Sequence, residues 1–126
     1  MEDLFRNAER LYKEALKDLR KGRFRKAAEN AWAATVRATE ALLVARGYSY
    51  EEVKWPSSRR RALDELAMRD PKVDELRMVE RYGSRETFLH GSCFYEGMCE
   101  PLERNVRRIE ETKRYIEDAK KLALKD

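Results

Sequence analysis

The chain has no glutamine, one histidine, three prolines and five glycines in 126 residues. With so few breakers the backbone is free to run in long helices, and no β-branched run marks a strand. No apolar stretch approaches the roughly 18 residues that a membrane span requires. The opening Met1-Glu2-Asp3-Leu4-Phe5-Arg6 shows no basic segment followed by an apolar one, so a secretory signal is not expected and the cytoplasm is the default compartment. Cysteine is scarce as well. Cys93 and Cys99 are six apart, and with His90 as the lone histidine they cannot complete a four-ligand zinc site. A reduced pair is expected, with no metal and no cofactor.

What is abundant is charge. Asp, Glu, Lys and Arg make up 41% of the residues. Arginine outnumbers lysine, which together with the missing glutamine suits a thermophilic source where ion-pair networks gain. A net charge of +4 permits a polyanionic partner without demanding one. The length suits a single domain over 1–126 with its own core.

Apolar spacing of three and four makes 2–21 an amphipathic helix, stopped by Gly22. The next helix, 23–46, is apolar over a wide arc and rich in alanine, so it is expected to be central, with Trp32 buried. Gly47 is its stop. Residues 48–57 read as a loop in which Pro56 shuts out helix, and Ser57 or Ser58 then caps a short helix bearing Ala62, Leu63, Leu66 and Ala67. Asp70-Pro71 opens another. A break or kink is expected at Tyr82-Gly83-Ser84, with Ser84 capping 85–96. Pro101 suits the first turn of a last helix, whose Glu103–Arg107, Glu110–Arg114 and Glu117–Lys121 spacings permit ion pairs. The expected fold is an all-α antiparallel bundle of four or five helices.

Two basic clusters stand out. Lys21, Arg23 and Arg25 lie with Arg20 and Lys26 at the first turn, and Arg59-Arg60-Arg61 lies at a helix start, where the macrodipole gives cations no help. They read as a phosphate-contacting patch or as a solvated charged face. His90 is the one side chain suited to proton transfer near neutrality, and Arg85 precedes it at R-x4-H spacing. A structural or surface histidine is the alternative. Phe88, Phe94, Tyr95 and Met98 crowd the same segment, too many large apolar groups for a small monomer's surface, and point to a homodimer interface.

Two strings carry a family resemblance. Lys21-Gly22-Arg23-Phe24-Arg25-Lys26-Ala27-Ala28, with Arg46-Gly47-Tyr48 closing the second helix, resembles the turn and second helix of the HEPN (higher eukaryotes and prokaryotes nucleotide-binding) domain. Leu89-His90-Gly91-Ser92-Cys93-Phe94-Tyr95-Glu96-Gly97 resembles a signature of its PaREP archaeal branch. The resemblance implies a HEPN-like bundle with R-x4–6-H at a dimer cleft, where active members cut RNA without metal. Arg85 would then stabilise charge on the phosphate in transit while His90 handles a proton. Glu86 departs from the family's pattern, and on an α-helix five residues leave Arg85 and His90 about 140° apart, so the partner chain's His90 would complete the pair. One histidine per chain fits this, since a symmetric dimer supplies two.

Three functions stay open at this point. One is a dimeric HEPN-like module that binds RNA or a nucleotide, with a nucleotidyltransferase-like protein as partner. Another is a metal-independent endoribonuclease of the toxin–antitoxin or defence type using Arg85 and His90, and the last is a purely structural helical protein.

Overall fold

The three- and four-residue spacing of Phe5, Ala8, Tyr12, Ala15 and Leu19 makes α1 (Glu2–Arg20) one-sided, and its buried residues include Phe5, Ala8 and Ala15. The computed structural model describes residues 1–124. Gly22 takes φ +73, a left-handed conformation that only glycine adopts freely, and the Arg23 amide closes the turn on Asp18 O at 2.8 Å. The chain reverses into α2 (Phe24–Ala45), whose Ala27, Ala28, Ala31, Ala34, Ala38 and Ala41 are all 0% exposed. Methyl side chains let neighbouring backbones come close on several sides. α2 accordingly touches α1, α3 (Tyr50–Val53), α4 (Pro56–Arg69), α6 (Met78–Arg85), a π-helical segment (Glu86–Tyr95), α7 (Leu102–Glu110) and α8 (Thr112–Ala123). It is the central helix, and Trp32 is buried on it. α5 (Pro71–Glu75) is a single turn. No strand occurs among the described residues.

Several sequence expectations need correction. Residues 48–57 are not a loop throughout: Ser49 and Glu52 form a reciprocal capping box on α3. Pro56 starts α4 as its first residue, where a missing amide costs nothing, so neither Ser57 nor Ser58 is the cap. Asp70 caps α5, accepting from the Lys72 amide at 2.9 Å. No break occurs at 82–84, because α6 runs directly into the π segment and Ser84 caps nothing. Pro101 stands one residue before α7, and the last helix is interrupted at Glu111. Glu103–Arg107, Glu110–Arg114 and Glu117–Lys121 do not close into ion pairs. Lys120 instead reaches Glu9 at 2.6 Å. The bundle is not wholly antiparallel either. Thr39–Tyr115 and Arg46–Leu122 contacts show α8 running alongside α2 in the same direction, because 96–101 turns the chain once more.

Cys93 and Cys99 are joined by a disulfide rather than reduced. The Met98 amide bonds back to Ser92 O at 2.7 Å and the Gly97 amide to Cys93 O at 3.1 Å. That reversal folds Cys99 over Cys93, a tertiary fact that spacing does not reveal.

Polar groups cross the core in bonded chains. Thr39 spends its hydroxyl hydrogen on Thr35 O at 2.8 Å and so accepts from the Tyr115 hydroxyl at 2.6 Å. Glu40, 2% exposed, receives Arg37 at 2.9 Å and Arg59 at 3.3 Å. Arg59 also donates to Tyr82 Oη and to the carbonyls of Val53 and Lys54. It is therefore a core tie and not part of a phosphate-contacting patch. We expect Arg59→Ala to cost about 3 kcal/mol, because it strips a buried carboxylate of half its compensation. Arg61→Ala, at an exposed position, leaves the denaturation midpoint unchanged. Equal midpoints for the two variants would contradict the assignment.

Tyr115 gives a pH signature. Burial raises its phenol well above the ordinary value of 10.0. The folded phenol stays neutral where the unfolded one ionises, so its contribution to stability is complete below pH 10.0 and fades as pH rises from there. Wild-type protein should lose stability above that pH more steeply than Tyr115→Phe, as read by chemical denaturation at stepped pH.

Candidate nucleic-acid interface

The π segment lies antiparallel to α2, and hydrogen bonds set its register. Arg85 Nε donates to Thr35 Oγ1 at 2.9 Å, and His90 Nδ1 lies 2.9 Å from Glu29 Oε1. At the far end Arg25 donates from Nε and Nη2 to Phe94 O at 3.0 and 2.6 Å. In a π-helix each amide bonds five residues back, so residues five apart stand one turn apart on the same side. Arg85 and His90 thus share the α2 side of one chain, without the angular offset expected of an α-helix.

They share a side but not a site. Arg85 is only 6% exposed, and its guanidinium is enclosed between Thr35, the Arg108 carbonyl at 3.0 Å and the Thr112 hydroxyl. Loss of hydration pushes it down to about 10, and none of its hydrogen bonds goes to a carboxylate. His90 opens outward, with 39% of its side chain exposed. The expected catalytic pair is therefore divided in the single chain into an enclosed cation and an accessible imidazole.

The chemistry at His90 follows from Glu29. A carboxylate only accepts, so Nδ1 carries the proton and Nε2 keeps its lone pair in the neutral ring. Nε2 makes no hydrogen bond among the described residues. The ring is held in an aromatic cluster: Trp32 at 5.9 Å, Phe94 stacked at 6.2 Å and Tyr95 edge-on at 6.2 Å between centroids. Trp32 in turn packs on Tyr82 at 5.2 Å. Tyr95 projects from this cluster 75% exposed, and Met98 is 61% exposed beside it in sequence. Of the residues expected at a dimer interface, Phe88 is 40% exposed under the Arg108 guanidinium, whereas Phe94 is half-buried in the aromatic cluster.

The basic clusters divide as well. Arg25 brings the α1–α2 turn against the end of the π segment, so exposed Lys21 and Arg23 lie on the element that holds Phe94 and Tyr95. Arg25 itself is occupied by those carbonyls, with Gly97 (φ +75) close beneath its guanidinium, and so is a clamp more than a phosphate ligand. The second cluster does not join this face. Arg59 is internal, Arg60 pairs with Glu86 at 3.2 Å, and only Arg61 is exposed without an ion pair. Glu29 and Trp32 were missed as site residues. Nothing in their own stretch of α2 marks them, since both act through a register set 61 residues away.

No family model matches the chain, and no curated protein and no solved structure matches it.

The carboxylate–imidazole bond makes a spectroscopic prediction. Imidazole ¹⁵N resonances of the neutral ring should report the Nδ1–H form, and Glu29→Gln should mix in the other tautomer. An Nε2–H ring in the wild-type protein would contradict the geometry.

Proposed function

We propose that the protein is a HEPN-like helical module that binds single-stranded RNA or a nucleotide as a two-fold dimer, on the face formed by His90, Tyr95 and the α1–α2 turn. The observation that carries this reading is the exposed Tyr95 set against a His90 ring oriented by Glu29, beside exposed Lys21 and Arg23. Exposed aromatics stack unpaired bases, and adjacent cations follow the phosphates. Phe88 and Met98 are the apolar surface a second chain would cover, leaving Tyr95 at the rim of a joint cleft. A nucleotidyltransferase-like protein is the partner class that the family resemblance suggests.

A second reading, metal-independent cleavage of RNA, is favoured by the Glu29–His90 bond itself. A fixed Nδ1–H leaves Nε2 ready to accept a proton from a 2′-hydroxyl, and a dimer would bring the second imidazole that the leaving oxygen needs. In this reading the enclosed Arg85 positions the helix that bears His90.

Fluorescence anisotropy with a labelled oligoribonucleotide tests the binding. Affinity should fall as salt rises, through counterion release, and replacing Lys21 and Arg23 with alanine should flatten that dependence. Tyr95→Ala should weaken binding about tenfold. Absence of binding at low salt would sink the proposal, as would a 15 kDa particle by light scattering for its dimeric part. Cleavage in EDTA that His90→Ala abolishes would move the conclusion to the second reading.

A further inference from the structure

A cleft of about 580 Å³ opens between the α5–α6 corner and α7–α8, and none of its lining residues belongs to His90's aromatic cluster. Arg85 forms part of its lining, together with Ser84, Arg108, Glu111 and Arg114. The charges around it do not cancel. Arg81 is matched by Asp118 at 2.8 Å, Arg77 by Glu80 at 3.7 Å, and Glu75 by Lys72 at 3.7 Å. What is left is Arg85, Arg108 and Arg114 against Glu111 alone. Arg108 lies over the Phe88 ring at 4.0 Å without an ion pair, and partial burial and then Arg104 lower its proton affinity.

Arg85 is the more telling of these. A buried cation is normally matched by an anion, because hydroxyls and carbonyls replace its hydrogen bonds with water but not its lost charge solvation. Here its hydrogen-bond acceptors are two threonine hydroxyls and one carbonyl, all neutral. It is a buried cation with no carboxylate among its hydrogen-bond partners, and it lines the cleft. Guanidinium forks match the oxygens of a phosphate in both charge and spacing. The Ser84 hydroxyl, exposed at the lip, offers a further donor.

We propose that this cleft is an anion site for a phosphomonoester, either a mononucleotide or the 5′ end of an RNA, with Arg85 as its floor and Arg108 and Arg114 as its walls. The site is independent of the His90 face and does not rest on the reading of that face.

The test uses the whole protein at constant ionic strength. Inorganic phosphate in exchange for chloride should raise the melting temperature saturably, and adenosine monophosphate should do so at lower concentration. A 5′-phosphorylated oligoribonucleotide should bind about tenfold more tightly than its 5′-hydroxyl counterpart if the RNA end is the ligand. Equal affinities, with the mononucleotide shift retained, would identify the mononucleotide. Arg85→Lys should remove the shifts, but it also loosens the core. The decisive variant is therefore Arg114→Glu, at an exposed position, which should abolish the phosphate effects and leave the fold intact. Tyr95→Ala should leave the inorganic phosphate shift untouched. No saturable shift with inorganic phosphate, or a phosphate shift that survives Arg114→Glu, would overturn the proposal.

Discussion

Alanine brings helices close to α2 but does not tell them where to stop turning. Two threonines do. Thr35 and Thr39 each give their hydroxyl hydrogen to the carbonyl four residues back, at 2.8 Å, and so face the neighbouring helices as acceptors only. Thr35 accepts from Arg85 and Thr39 from Tyr115, which pins the end of α6, where the π segment begins, and α8 to one helix at adjacent turns. Once Arg85 is held opposite Thr35, His90 must come opposite Glu29 and Phe94 opposite Arg25. The candidate interface is thus a consequence of register, set by a bond at its far end.

Arginine has a different job here from the one composition suggests. A chain so rich in charge reads as a solvated surface laced with ion pairs, and some of it is. Arg25, Arg59 and Arg85 instead spend their planar forks on carbonyls, hydroxyls and a buried carboxylate, tying together segments far apart in sequence. A lysine could supply the charge at these places but not several fixed donors at once.

The long helices were legible because a one-sided apolar stripe and a following glycine are local signals, and α1 and α2 end within a residue or so of where those signals fall. The capping box Ser49-Tyr50-Glu51-Glu52 was equally local but was masked by Pro56, whose place at the first helical residue is compatible with either reading. The π segment was not legible. Its side chains are ordinary, and only the backbone pairing shows that its amides bond five residues back, so faces assigned at α-helical spacing are wrong over 86–95. For the site, scarcity singled out His90 and crowding singled out Tyr95 and Met98. The enclosure of Arg85, the inward turn of Arg59 and the role of Glu29 all depend on which distant residues lie opposite, information that no local pattern contains.

The alanine lining of α2 also sets how the protein can tolerate change. In most cores the damaging substitution removes bulk and leaves a void. At Ala28, Ala31, Ala34 and Ala38, each 0% exposed, a methyl group is all there is to remove, whereas every added carbon meets a neighbouring element. These four positions have little bulk to lose and no room for growth. Variation in size is confined to the rim, among residues such as Phe88, Tyr95 and Met98, where an altered side chain changes what the surface meets without disturbing how the helices lie.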